Sequence, residues 1–185
     1  VNFPKIKTSR LILNQLENED KNALFKIFSD EKVVKFYDID VFESEQQSLE
    51  LINFFNKRFA GKTGIRWAIR DKDTGELVGT CGFNSWNTNM KNATIGYELS
   101  SCYWGSGLAS EALSAIIQFA FYNDTLFGQV YRIQGDTMLG NTASESVLRK
   151  LGFKQEGIRR SSGFWKGKFH DLKCFGLIKP EFEEV

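Results

Sequence analysis

An α+β (mixed α/β) domain is what the sequence predicts: helices flanking a central, mainly antiparallel sheet. Three observations predict it. The hydrophobic period switches between two and 3.6 along the chain, giving the element order β-α-α-β-β-β-α-β-α-β-β. The middle of the chain is a meander of strands joined by short polar turns, and the later part crosses from strand to helix to strand, a mixture typical of this class. The two prolines, Pro4 and Pro180, lie near the ends, and no Gly/Ser-rich linker, repeat or low-complexity run divides the 185 residues, so residues 1–185 are read as one domain.

Leu11-Ile12-Leu13 forms a short first strand. Asn18 is placed to cap the next helix, whose apolar face is Ala23, Leu24, Ile27 and Phe28. Ser44 caps a second helix carrying Leu49, Ile52, Phe55 and Phe59, and Gly61 and Gly64 stop it. Residues 66–70 are a strand, Asp73-Thr74-Gly75 a hairpin turn, and residues 77–84 the returning strand. A second polar turn, 87–92, leads to a strand in which Ile95, Tyr97 and Leu99 alternate with Thr94, Gly96, Glu98 and Ser100. Gly105-Ser106-Gly107 then permits positive φ and close backbone approach. Leu108, Ala112, Ile116 and Phe119 recur at helical spacing after it. Residues 130–137 are a strand and 141–151 a short helix, ended by Gly152 with Phe153 packing back. Two closing strands, 153–164 and 169–178, flank the turn Lys166-Gly167-Lys168.

Composition narrows the function. A formal net charge of +1 gives no electrostatic basis for binding nucleic acid or an acidic membrane. No apolar run approaches the ~20 residues of a membrane span, and no signal peptide is read; the scattered cysteines make a reducing cytoplasm the expected location. Cys81, Cys102 and Cys174 are scattered, with neither metal-ligand spacing nor a disulfide framework, so no metal is expected. His170, the single histidine, sits in a polar turn-to-strand segment without a paired Ser or Cys motif and is read as structural.

The segment from Thr94 to Phe121 carries the chemistry. A glycine turn feeding a helix N-terminus leaves N–H groups converging on one spot, which suits a phosphate. The strand before it ends with a carboxylate, Glu98. Taken alone, the glycines also fit a plain strand-to-helix turn, and Glu98 a solvated or salt-bridged strand end.

Four motifs in order make the chain resemble the GNAT superfamily of acyl-CoA N-acyltransferases, in its RimJ/RimL-type branch, over nearly its whole length. Cys102-Tyr103-Trp104-Gly105-Ser106-Gly107-Leu108-Ala109, continuing to Glu111-Ala112-Leu113, resembles the branch's pyrophosphate loop, with cysteine where Gln or Arg is usual. Asn141-Thr142-Ala143-Ser144 and Lys150-Leu151-Gly152-Phe153 are similar to its N-x-x-S…K-L-G-F segment. Gly79-Thr80-Cys81-Gly82-Phe83 with Ile95-Gly96-Tyr97-Glu98-Leu99, and Trp165 and Gly167 with Asp171, also fit.

The resemblance implies a GNAT fold with splayed middle strands and acetyl-CoA as co-substrate. Trp104, Gly105, Ser106, Gly107, Leu108, Ala109 and Ser110 would hold the pyrophosphate, and Leu99 and Ser100 would offer backbone groups to the pantetheine arm. The loss of Gln or Arg at Cys102 would tune binding, not abolish it. Glu98 would be the general base and Ser144 the general acid, with a tyrosine as alternative; Asn141 would bond the pantetheine arm or a water. Capping is the other reading of this pair: Asn141 or Thr142 as N-cap, with Glu145 completing a box from Thr142 and Asn141 and Ser144 left to the cofactor. The acceptor would be a protein N-terminal α-amine, of ribosomal-protein type. A small-molecule amine (polyamine or antibiotic) is the alternative acceptor, and a non-catalytic acyl-CoA-binding module the alternative class. Acids between Phe36 and Glu50 would rim a site for a cationic acceptor, or simply solvate a helix face. Phe36, Tyr37, Phe83, Trp86, Phe164 and Trp165 would line the acceptor pocket or fill the core. Homodimers are common among such enzymes, though no sequence feature shows one here.

Overall fold

The computed structural model describes residues 2–182. Its strands are β1 (Ile6–Lys7), β2 (Leu11–Gln15), β3 (Ile65–Asp71), β4 (Leu77–Asn87), β5 (Asn92–Leu99), β6 (Arg132–Met138), β7 (Lys154–Trp165) and β8 (Lys168–Ile178). Its helices are α1 (Lys21–Phe28), α2 (Glu31–Val34), α3 (Glu45–Ala60), α4 (Leu108–Tyr122) and α5 (Thr142–Lys150). The strands form one sheet in the order β1-β2-β3-β4-β5-β6-β8-β7. Every pairing is antiparallel except β5 with β6. The α+β expectation holds, with β1 and α2 as additions too short for a periodicity to announce.

Both sheet faces are covered, which is why Ile65 to Ile69 in β3 are all buried. One face carries α4, whose Ala112, Leu113, Ile116 and Ile117 pack with Leu11, Leu13, Trp67, Ile69 and Phe83. The other carries α1 and α3, where Leu24, Ile27, Phe28 and Ile52 meet Ala68 and Leu77. The sequence spacing of α3 holds, and Gln47 Oε1 accepts from the Ser44 N–H (3.1 Å) in a capping box. Asn18 is not the cap of α1: it begins a 3-10 turn, and the chain enters α1 through Asp20. That turn is closed by Asp20 Oδ2, which accepts from the Glu17 N–H (2.9 Å).

The feature that positions the site is the junction of β5 and β6. Only Asn92–Thr94 pair with Arg132–Gln134. Beyond them β6 stays with β8 while β5 stays with β4, and Ile95–Leu99 face a widening gap.

Candidate active site

The glycine loop is built for backbone exposure. Gly105 and Gly107 have φ of +73° and +80°, in the left-handed region that a side chain would strain. Gly107 is the N-cap of α4 and no side chain caps that helix, so its first N–H groups remain for a ligand. Leu108, Ala109 and Ser110 follow at the helix start, and with Trp104, Gly105 and Gly107 they line a groove of ≈ 550 Å³. Ser106 points elsewhere: its hydroxyl donates to the Tyr103 carbonyl (2.6 Å) and its own carbonyl accepts from Arg10 Nη1 (2.9 Å). Lys32 of α2 and Lys35, the residue after it, face the same groove.

The strand edge beside the groove is less open than the resemblance implied. The Ser100 N–H donates to Val78 (2.8 Å) and its carbonyl accepts from the Tyr103 N–H (3.0 Å), so both backbone groups are already engaged. By the alternation of an antiparallel ladder, Leu99 therefore turns its N–H and carbonyl to the gap side. The Trp104 indole takes that carbonyl (3.0 Å), which leaves the Leu99 N–H. Trp104 thus fixes the strand edge as well as walling the groove.

A second cavity of ≈ 550 Å³ lies across the sheet, bounded by Glu98, Gly96, Arg66, Asn84, Phe55 and Asp38 among others. Glu98 is not solvated; it is 6 % exposed. The Thr80 hydroxyl donates to its Oε1, and Arg66 Nη1 lies 3.6 Å from its Oε2. Arg66 is itself held by Asn84 Oδ1 (2.5 Å) and the Phe55 ring (4.8 Å to the centroid). Gly79 of β4 permits the close approach of the β5 backbone: a Cβ there would lie 2.3 Å from the Glu98 carbonyl oxygen. In the pairing of β4 with β5, Thr80 stands opposite Glu98.

The two cavities share Phe36, Tyr37, Tyr97, Asn141 and Ser144. Tyr97 and Ser144 hydroxyls share a hydrogen bond of 2.8 Å across the gap. Burial pushes the Tyr97 phenol up to about 12, with the Ser144 bond acting the other way. Tyr37 donates to the Tyr97 carbonyl (2.7 Å), and burial, then the charge of Glu98, holds its phenol well above the usual range. Asn141, not Thr142, is the N-cap of α5: its Oδ1 accepts from the Ser144 N–H (3.3 Å). Glu145 does not complete a box but accepts from Lys173 Nζ (2.8 Å), because its side chain faces β8.

Among the aromatics, Phe36, Tyr37, Phe83 and Trp165 line the second cavity. Trp86 is core, and Phe164, packed on Phe169, is 64 % exposed. Of the acids between Phe36 and Glu50, Asp38 reaches the cavity and the others do not. His170 is buried, stacked on Trp165, with Nε2 3.0 Å from that residue's carbonyl oxygen. Cys102 is exposed and free. The residues that sequence reasoning missed are Arg66, Thr80 and the specific tyrosine, Tyr97. A charged residue inside an apolar strand was the available signal for Arg66.

A sheet parted between two strands, an uncapped helix N-terminus on one side and a buried carboxylate on the other are compatible with a group-transfer enzyme. The chain belongs to the acetyltransferase (GNAT) domain family, which matches residues 10–154, and it is an N-acetyltransferase. It is 35% identical over 178 residues to the uncharacterized N-acetyltransferase YoaA of Bacillus subtilis, covering 96% of this chain and 98% of that protein. It is 25% identical to the [ribosomal protein uS5]-alanine N-acetyltransferase of Escherichia coli, covering 98% and 95%. In fold it is similar to an acetyltransferase (GNAT family) from Bacillus anthracis (TM-score 0.84, 23% identity, 96% and 100% covered). A Salmonella typhimurium acetyl transferase that modifies the N-terminal serine of ribosomal protein L7/L12 gives a TM-score of 0.83 at 22% identity, with 95% and 99% covered. Enzymes of this family use acetyl-CoA. Among the described residues no helix is long and apolar enough to cross a membrane, and no His, Cys, Asp and Glu group is arranged for a metal.

Proposed function

We propose that the chain transfers acetyl from acetyl-CoA to a protein N-terminal α-amine. The observation that carries this reading is the meeting of two cavities through the parted sheet, with a carboxylate on one side and a hydroxyl pair at the junction. The groove fits coenzyme A on its own geometry. Gly107 and the start of α4 offer N–H groups for the pyrophosphate, and the Leu99 N–H meets the amide-bearing pantetheine arm as a partner strand would. When bound, acetyl-CoA supplies an acetyl group activated as a thioester.

The chain's own residues do the proton work. An α-amine, pKa near ~8, is mostly protonated at pH 7, and Glu98 takes its proton directly or through water. Arg66 and Thr80 fix the carboxylate's orientation and offset the cost of burying its charge. Ser144, hydrogen-bonded to Tyr97, would supply a proton to the departing thiolate. The Asn141 cap orients the first turn of α5, which carries Ser144.

The acceptor assignment is supported by the named substrates of the ribosomal-protein relatives and by the apolar walls of the second cavity, Phe28, Leu51 and Phe55. Three free cysteines fit a reducing compartment, and we place the enzyme in the cytoplasm. A thiol-release assay with acetyl-CoA and a panel of amines tests the reading. Peptides with free N-termini should turn over, and their Nα-acetylated forms should not. Turnover confined to polyamines or antibiotic amines would move the acceptor to the small-molecule class.

A further inference from the structure

We infer that Arg10 is a positioning residue of the donor site, which masks a carboxylate in the first turn of the helix that heads the phosphate cradle; this rests on the coenzyme A reading above. Between Ser100 and Tyr122 the chain has one charged residue, Glu111, and it is negative. It lies in the first turn of α4, the helix whose N-terminus would receive the pyrophosphate. An unscreened carboxylate there opposes an anionic ligand.

The structure deals with it from outside the segment. The turn between β1 and β2 reaches over α4, and Glu111 accepts from three of its donors. These are Thr8 Oγ1 (2.6 Å) and the Arg10 N–H (2.8 Å) on Oε1, and Arg10 Nε (2.7 Å) on Oε2. Burial alone would raise the carboxyl of Glu111; the Thr8 and Arg10 bonds outweigh it and hold the group below its ordinary value, ionised. The same guanidinium continues into the loop, with Nη1 donating to the Ser106 carbonyl (2.9 Å). A Cβ built on Gly107 would lie 3.5 Å from Nη2, so the guanidinium's third nitrogen stands against the cradle glycine itself.

Two roles are thereby separable. A simple tether between the turn and α4 is broken equally by removing either partner. Charge masking is not symmetrical: losing Arg10 exposes the carboxylate, whereas losing the Glu111 charge leaves nothing to mask. The loop has no cation of its own, Cys102 stands where the family's Gln or Arg would be, and the partners of Glu111 are Thr8 and Arg10, not the groove's Lys32 and Lys35, so masking of this carboxylate falls to Arg10.

The test is a double-mutant cycle on coenzyme A affinity by calorimetry, with thermal melts showing that each variant folds. Arg10→Gln should weaken coenzyme A binding about tenfold or more, and Glu111→Gln about threefold or less. The double variant should bind like Glu111→Gln. Equal losses in both single variants, unchanged in the double, overturn the inference and leave a tether. Arg10→Lys keeps the charge without the fork and serves if Arg10→Gln does not fold. Affinity within about threefold of wild type supports masking, and a loss of about tenfold overturns it. A wild type that does not bind coenzyme A overturns the donor reading and this inference together; a wild type that binds, with the wrong variant pattern, overturns the inference alone.

Discussion

At the scale of single residues, the proposed chemistry rests on Glu98 and on the Tyr97–Ser144 pair. Glu98→Gln keeps the shape and the Thr80 contact but cannot take a proton. Coenzyme A affinity should stay within about twofold while kcat at pH 7 falls by about 100-fold or more. The deficit should shrink as pH rises past ~8, where the amine deprotonates unaided. Turnover equal to wild type at neutral pH would remove Glu98 from the base role. Tyr97 makes a second prediction. Its phenol, pushed up to about 12, keeps its proton over the working range, so a pH–rate profile should show no alkaline loss from this group below pH 10. The stability sign follows: the raised value favours the protonated folded form. That contribution is complete below pH 10, the ordinary tyrosine value, and is lost as pH rises through about 12. The sequence made Glu98 and Ser144 visible because they stand in local motifs. Thr80 comes from the neighbouring strand β4 and Arg66 from β3 beyond it, and only the pairing registers set them against the carboxylate.

At the scale of elements, the loop and α4 act through backbone conformation. Gly107→Val would force a β-branched residue into φ +80° beside Arg10 Nη2. Coenzyme A affinity should fall about tenfold or more by calorimetry; affinity equal to wild type would show that the cradle does not need its glycine. The loop's anchor predicts an acid response. Because Glu111 is held below its ordinary value of 4.5, its contribution to stability is present above that pH and is lost as pH falls through the lowered value. The thermal midpoint should therefore drop on acidification below about pH 4.5, and the drop should be smaller in Glu111→Gln. Periodicity revealed α1, α3 and α4 because each buries an apolar face, and α5 was read from the glycine that ends it. Periodicity did not reveal α2, whose four residues are fewer than two turns.

At the scale of the whole molecule, the sheet is clamped between two packed faces, and Trp67 is the centre of one. It is fully buried, donates Nε1 to the Pro4 carbonyl (2.8 Å) and meets Phe3, Phe83 and Phe119 edge-on. Trp67→Ala should cost about 3–5 kcal/mol in urea unfolding, through the cavity left behind. A loss below about 1 kcal/mol would show that the site collapses freely. The sequence by itself determined the class of fold, the family and the donor loop, because hydrophobic period, turn glycines and capping groups act over a few residues and are written in order. The tertiary structure decided what those pieces enclose. It alone parted β5 from β6 after Thr94, so that a groove and a cavity meet at Tyr97 and Ser144. It alone buried Glu98 against Arg66 and turned Arg10 onto Glu111, a hundred residues away. Those outcomes depend on which strands pair and which faces pack, and contacts so distant in sequence leave no local period to read.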